Sequence, residues 1–383
     1  MKYPIEKFKN IETPFYYYDF DILRDTLQNV KEEAGRHEGF RVHYAIKANA
    51  NPKVLKIISE YGLGADCVSG GEIERSIECG FRPSQIVYAG VGKADWEIEL
   101  SLDNDIFCFN VESLEELQII QEIAVRKGKT ANICFRINPN IGAHTHEKIT
   151  TGLAENKFGI ALEDMYKAIE AARTYSNIKF IGLHFHIGSQ LLEMDDFIAL
   201  CKKINELQDG LEEKGIHIQI INVGGGLGVD YDNPSENPIP NFKLYFDTYA
   251  QHLKLREGQE VHFELGRSIT AQMGSLITKT LYVKQGTAKQ FAIVDAGMTD
   301  LIRPALYQAH HKILNLSSKE AEKTYDVVGP ICESSDVFDK AVRLNKVHRG
   351  DFVALQSAGA YGEIMASQYN CRRLPVGYSS DEL

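Results

Sequence analysis

The feature that most limits what this chain can fold into is the regular alternation of two residue patterns. Short apolar, β-branched runs come first: RVHYAIKAN (41–49), GADCVSG (64–70), QIVYAG (85–90) and DIFCFNVES (105–113). They continue as NICFRINPN (132–140), FIGLHFHIGS (180–189), IQIINVGGG (218–226) and VHFELGR (261–267). Between most of them lies a segment such as SLEELQIIQEIAVRKG or ALEDMYKAIEAARTYS, whose apolar residues recur at helical spacing. Eight such units over roughly 225 residues predict an α/β fold, a parallel (β/α)8 barrel, an architecture that takes about 250 residues.

Side chains alternate across a strand, so the phase of each polar residue can be read. Lys47 shares a face with His43 and Ala45, opposite Val42, Tyr44 and Ile46. Arg136 opposes Ile133, Phe135 and Ile137; His184 and His186 oppose Ile181, Leu183, Phe185 and Ile187. Glu264 opposes Val261, Phe263 and Leu265. The apolar phase suits a helix-covered outer wall, which leaves Lys47, Arg136, His186 and Glu264 to the lumen. All lie near the C-terminal ends of their strands, where barrel chemistry is built. His43 and His184 read as structural. Arg136 suits equally a place beside a bound ring or a structural ion pair.

Past Glu264 the alternation stops. SLITKTLYVKQ, KQFAIVDAG, KTYDVVGPIC and GDFVALQSAGAYG read as strands between turns, so a mostly β C-terminal domain follows the barrel. The opening TPFYYYDF has strand propensity and no barrel partner, and is expected to complete that domain. The predicted division is therefore 22–266 for a cofactor-binding barrel, with 1–21 and 267–383 forming a β domain that completes the site. DNPSENPIPNF (232–242) reads as a long surface loop.

The formal net charge of −11 argues against nucleic-acid binding, since neutralising phosphates needs clustered Lys and Arg. The short RKGK at 126–129 reads as a solvated helix end. The opening residues lack the apolar core of a signal peptide, and no apolar run approaches the ~18 residues of a membrane span. Seven cysteines without CxxC spacing suggest reduced thiols, so a cytoplasmic location with no membrane partner is expected. HTHEK (144–148) lacks a further ligand at suitable spacing; it reads as a solvated loop, and no metal is expected.

A lysine at a barrel mouth serves as a phosphate ligand, as half of a salt bridge, or as a Schiff-base former. NVGGGLG (222–228) sets three glycines at a strand end, where bare backbone N–H groups can approach an anion. With Ser189 of HIGS also at a strand end, a phosphate pocket is indicated. Lysine, phosphate cradle, histidine and buried carboxylate together describe a pyridoxal 5'-phosphate site. There Glu264 would keep the pyridine nitrogen protonated and make the ring an electron sink. His186 would lie flat against the ring.

The chain resembles the alanine-racemase-fold (fold type III) pyridoxal phosphate decarboxylases, and within them it is most similar to the diaminopimelate decarboxylases. The resemblance runs over nearly the whole chain, through YAIKAN, ADCVSGGE, HFHIGSQ, GGGLG, ELGRSI, DAGMTDLIRPALY, GPICESSDVF and GAYGEIMASQYN. It implies that Lys47 carries the cofactor, that His186 stacks on it, and that Ser189, Gly225 and Gly226 bind its phosphate. Glu264 would pair with the ring nitrogen, Tyr361 would reach the cofactor from the β domain, and Asp66 would line its pocket. For a meso-2,6-diaminopimelate substrate, Arg267 and Arg303 would take the unreacting carboxylate, with Tyr307 nearby. Glu333 would take the ammonium, and Cys332 would be the candidate proton donor. In this family the CES loop comes from the partner subunit, which implies a homodimer with shared active sites. Asp300 and Asp336 are expected to help position Arg303 and that loop.

The implied reaction is decarboxylation of meso-diaminopimelate to L-lysine and CO2. The nearest rival is a decarboxylase of the same fold acting on carboxynorspermidine, ornithine or arginine. Those substrates lack the L-end amino-acid group that the Arg267, Arg303 and Glu333 set would bind, or present a different distal charge. A racemase would need a second base opposite Lys47, where the sequence offers Cys332. A non-catalytic regulator is disfavoured by the intact Lys47, Glu264, Cys332 and Glu333.

Overall fold

The computed structural model describes residues 1–141 and 157–383, and the chain divides into two compact units. One comprises Leu27–Gly228 and Asn241–Gly266; the other comprises Met1–Thr26, Val229–Pro240 and Arg267–Leu383. The 229–240 stretch therefore groups with the β unit, not with the barrel as the 22–266 boundary had it. Gln272 Nε2 donates to the Asp230 carbonyl over 2.8 Å, one of the bonds holding it there.

After β1 (Phe15–Tyr18), the next eight strands close a parallel barrel. They are β2 (Phe40–Ala45), β3 (Gly64–Cys67), β4 (Ile86–Tyr88), β5 (Cys108–Val111), β6 (Ala131–Arg136), β7 (Ile178–His184), β8 (Ile220–Asn222) and β9 (Glu260–Leu265). β9 pairs with β2 to close the ring, with Glu264 beside His43. Helices fill the crossovers that parallel strands require. Their starts are written locally: Ser69 accepts from Glu72 N, and Ser113 accepts from Glu116 N. The helix Leu114–Lys127 stops at Gly128, which takes the left-handed conformation that glycine adopts at little cost.

The strands are shorter than the apolar runs suggest. The chain leaves the ladder where site residues begin, because a residue held in register cannot turn over the mouth. Lys47 lies on the 3-10 turn Ile46–Ala48 beyond β2, and His186 lies two residues beyond β7. One phase assignment also changes. Ile133 pairs with Phe180 but Cys134 pairs with Gly182, so β7 holds one extra residue at a bulge. Ile181, expected on the outer wall, instead packs with Val87, Cys108, Cys134 and Ile220, a layer with one residue from each of β4 to β8. Each fully buried aliphatic or aromatic side chain in such layers is worth about 1.5–3 kcal/mol.

The second unit is built on an eight-stranded sheet. Its remaining strands are β10 (Gly274–Gln285), β11 (Gln290–Val294), β12 (Ile313–Asn315), β13 (Glu322–Val328), β14 (Val337–Asn345), β15 (Phe352–Leu355) and β16 (Val376–Ser379). The order β12-β15-β10-β11-β13-β14 is extended by β1, which pairs with β10 and β16. The opening segment joins this sheet, with Phe15 opposite Ile277 and Val376. GDFVALQSAGAYG is not one strand: it leaves the sheet after Leu355, and Tyr361 sits at φ 57°.

Candidate active site

At the C-terminal end of the barrel, a cavity of about 400 Å³ is lined by Lys47, Arg136, Phe158, His184, His186 and Glu264, with the Val68 and Ala89–Gly92 loops. The Lys47 ammonium lies 3.8 Å from Asp66 Oδ2. Asp66 is buried; desolvation first, then the Glu264 charge, push its carboxyl up to about 8, and Lys47 opposes them. Burial thus favours the protonated form of this carboxyl, which lies within reach of the Lys47 amine.

Glu264 is held from three strands. Asn222 Nδ2 donates to Oε1 over 2.7 Å, Asn110 Nδ2 donates to the same oxygen over 3.1 Å, and His184 Nε2 donates to Oε2 over 3.1 Å. Burial alone would raise this carboxyl. The charge of His184 and its hydrogen bond, with Lys47 and His186, outweigh burial and hold it well below the usual carboxylate range. It is a fixed anion in the wall of the cavity.

His186 is driven well below the usual histidine range by burial, then by the charges of Arg136 and Lys47. Gly225 N–H donates to its Nδ1 over 3.4 Å, which leaves the ring proton on Nε2. Gly225 is a glycine because a Cβ there would lie 2.0 Å from the Glu264 carbonyl. Leu191 N donates to the Gly226 carbonyl over 2.9 Å, so the loop carrying Ser189 runs beside the glycine loop. Ser189, Gly225 and Gly226 stand on neighbouring loops rather than in the cavity lining.

Arg136 forms an ion pair and also lines the cavity. Its guanidinium donates to Glu112 Oε1 over 3.1 Å and lies 4.7 Å from the Phe158 ring centre, in the cavity wall. Glu112 also accepts from Gly90 N at 2.9 Å and Gly159 N at 3.0 Å, tying two loops of that wall together. His43 keeps its structural role: its Nδ1 donates to the Gln85 carbonyl over 3.1 Å and its Nε2 faces His262 Nδ1 at 2.8 Å. The HTHEK stretch lies outside the described residues, and among the described residues no group of potential metal ligands occurs.

Within the β unit, Tyr231 gathers the predicted arginines. Arg267 donates to the Tyr231 hydroxyl over 2.7 Å, and the Arg303 guanidinium lies 5.1 Å from its ring centre. Burial would raise this phenol, but the two guanidiniums outweigh it and lower it. Arg267 also lies 5.0 Å from the Tyr361 ring centre. Arg303 donates to His311 Nε2 over 2.9 Å, and His311 Nδ1 donates to the Gln356 carbonyl over 2.9 Å. Tyr307 follows at the end of the short helix Arg303–Tyr307.

Cys332 and Glu333 are exposed on a loop that Asp336 pins: its carboxylate accepts from Met298 N at 2.6 Å and Ile331 N at 2.7 Å. Asp300, expected beside Arg303, instead accepts from Gly297 N at 2.8 Å and faces Arg372 at 3.8 Å. It braces the turn before Arg303 rather than the guanidinium itself.

Residues 21–271 match the family described as pyridoxal-dependent decarboxylase, pyridoxal binding domain. A diaminopimelate decarboxylase from Bacteroides thetaiotaomicron is 65% identical over 381 residues, covering 100% of this chain and 99% of that protein. The chain belongs to the diaminopimelate decarboxylases. Another relative of that name, from Helicobacter pylori, is 43% identical over 372 residues, 96% of this chain and 90% of its own. The crystal structure of the Helicobacter pylori diaminopimelate decarboxylase with L-lysine superposes with a TM-score of 0.92 at 41% identity, covering 98% of this chain and 93% of that one.

As a member of the diaminopimelate decarboxylases the chain is an enzyme, and its cofactor is pyridoxal phosphate. The barrel fits that group. The cavity has room for it, its wall offers an amine, an imidazole and a fixed carboxylate, and Asp66 Oδ1 is buried with no hydrogen-bond partner. Reading the sequence missed Asn110, Asn222, Glu112, Tyr231 and His311, and gave His184 no link to Glu264. A signal existed for the two asparagines: each is a lone polar residue in the lumen phase of an apolar strand. Tyr231 had none, because it stands in a polar loop.

Proposed function

We propose that the chain decarboxylates meso-2,6-diaminopimelate to L-lysine and CO2, and that the residues described above divide the work. Bound pyridoxal phosphate supplies the electron sink into which the bond to the leaving carboxylate empties. Lys47 holds the cofactor through its amine, and Asp66, 3.8 Å away, exchanges a proton with that amine. Glu264 would keep a proton at the pyridine nitrogen of the bound cofactor. Its three donors keep it ionised, and that single observation carries the reading. His186 would lie against the ring, and Ser189, Gly225 and Gly226 would hold the phosphate.

Substrate choice falls to the β unit. Arg267 opens the unit's C-terminal segment three residues after Glu264 in sequence, and with Arg303 it offers two guanidinium forks to the unreacting carboxylate. Tyr307 and Tyr361 flank that group. Glu333 takes the distal ammonium, and Cys332 delivers a proton to the α-carbon after CO2 leaves. The exposure of Cys332 and Glu333 on the single chain suits a loop that serves a second subunit, so the reading includes a homodimer with shared sites. A cytoplasmic location accords with seven free cysteines, and no described helix is long and apolar enough to cross a membrane.

The deciding experiment measures CO2 release from meso-diaminopimelate, LL-diaminopimelate, ornithine, arginine and carboxynorspermidine. Turnover confined to the meso isomer is expected. Turnover of carboxynorspermidine alone would overturn the assignment.

A further inference from the structure

The segment Tyr369–Cys371 contacts the Cys332–Glu333 loop at two consecutive side chains. The Tyr369 hydroxyl donates to Glu333 Oε1 over 2.7 Å. Asn370 Oδ1 lies 3.2 Å from Cys332 Sγ and 3.4 Å from Cys332 N, accepting from both. We infer that Tyr369 and Asn370 are positioning residues, Tyr369 setting the rotamer of Glu333 and Asn370 that of Cys332. The inference rests on the proposed substrate roles of those two partners.

The backbone supports the assignment. Asn370 has φ 55° and ψ 25°, and Cys371 follows at φ 56°. Two adjacent non-glycine residues in the left-handed region are a conformation that L side chains rarely take, and asparagine tolerates it better than most. Such backbone persists where the surroundings over-determine it, which is commonest around functional sites. Here it presents Asn370 toward the thiol. Arg372, next in sequence, donates to the Asp295 carbonyl over 2.5 Å and anchors the segment from below.

A carboxylate on an exposed loop has several rotamers, and a hydrogen bond to one oxygen leaves the other free for an ammonium. The neutral phenol suits this use, because a lysine there would compete with the substrate for the charge. The amide does the same for the thiol: it fixes the direction of the sulfur and adds no charge.

The test uses steady-state kinetics with meso-diaminopimelate on the holoenzyme. Tyr369→Phe is expected to raise KM about fivefold with kcat and the cofactor spectrum unchanged, the size of one lost solvent-exposed hydrogen bond of ordinary strength. In the Glu333→Gln background the same change is expected to add less than about twofold, since its partner is already altered. Asn370→Ala is expected to lower kcat with KM held, and to add nothing to Cys332→Ala. If Glu333→Gln raises KM but Tyr369→Phe does not, the positioning role is wrong and the substrate reading stands. If Tyr369→Phe and Glu333→Gln multiply independently, the role is equally wrong. If Glu333→Gln leaves KM unchanged, the substrate reading itself fails and takes this inference with it.

Discussion

Asn222 Nδ2 sits 2.7 Å from Glu264 Oε1, donating from β8 to a carboxylate on the neighbouring β9. A carboxylate buried in a barrel would ordinarily take up a proton. This one cannot easily do so, because two amides and an imidazole already point hydrogens at it. Replacing Glu264 by Gln should reduce kcat by about 10²–10³-fold, the usual cost of removing one fixed electrostatic partner. The cofactor should stay attached at Lys47, as read by absorbance. A near-normal kcat would take Glu264 out of the chemistry.

Lys47→Ala should abolish covalent cofactor attachment, so that borohydride reduction leaves no label on the protein. A label that survives, located by peptide mass spectrometry, would place the attachment elsewhere.

The Tyr231 phenol lies beside both arginines, which makes it a single point of failure for the proposed carboxylate site. Tyr231→Phe should raise KM for meso-diaminopimelate several-fold, while Arg303→Lys should raise it by at least about tenfold, since an ammonium lacks the planar fork. Equal KM values for Arg303→Lys and the parent enzyme would remove Arg303 from substrate binding.

Mixing Lys47→Ala protein with Cys332→Ala protein separates two kinds of assembly. If each site takes its lysine and cysteine from different subunits, half of the sites in a mixed dimer are intact, and random exchange should restore about a quarter of the parent activity. Confirmed subunit exchange without recovery would argue for self-contained sites.

Acid stability follows from two imidazoles kept neutral. His43, by burial and then the charge of His262, and His311, by burial and then Arg303, are each lowered to about 3. Below the unfolded value of about 6.5 the unfolded chain binds a proton that each folded imidazole refuses, so stability falls as pH drops from 6.5 toward 3. Each site should cost about 2 kcal/mol between pH 7 and pH 5. His43→Gln and His311→Gln should each flatten the loss, as measured by urea unfolding at the two pH values. An unchanged slope in both would contradict the neutral assignment.

The barrel was legible because its outer wall is periodic: Val42, Tyr44, Phe263 and Leu265 all announce a helix-covered face. Lys47, Glu264 and Arg136 were found by the same logic, as polar residues in the wrong phase for a wall. That logic ends where the strand does. Lys47 and His186 each stand on a turn beyond the end of a strand, where alternation no longer governs direction. The bulge at Ile181 escaped notice because an inserted residue leaves an apolar run looking the same. In the β unit, β12 is three residues long and was missed, for so short a stretch carries no period at all. Tyr231 was invisible for a different reason: its importance lies in what it touches, and its partners stand 36 and more residues away in sequence.

Gly226 and Tyr231 are five positions apart on the stretch that follows β8, the first assigned to anchoring the coenzyme and the second touching both arginines. An engineer who trims or lengthens that connection to admit a new amino acid would disturb coenzyme retention in the same stroke. Retargeting this enzyme is therefore better attempted by point changes at Arg303 and Glu333 than by loop grafting, and natural drift in its selectivity should be constrained in the same way.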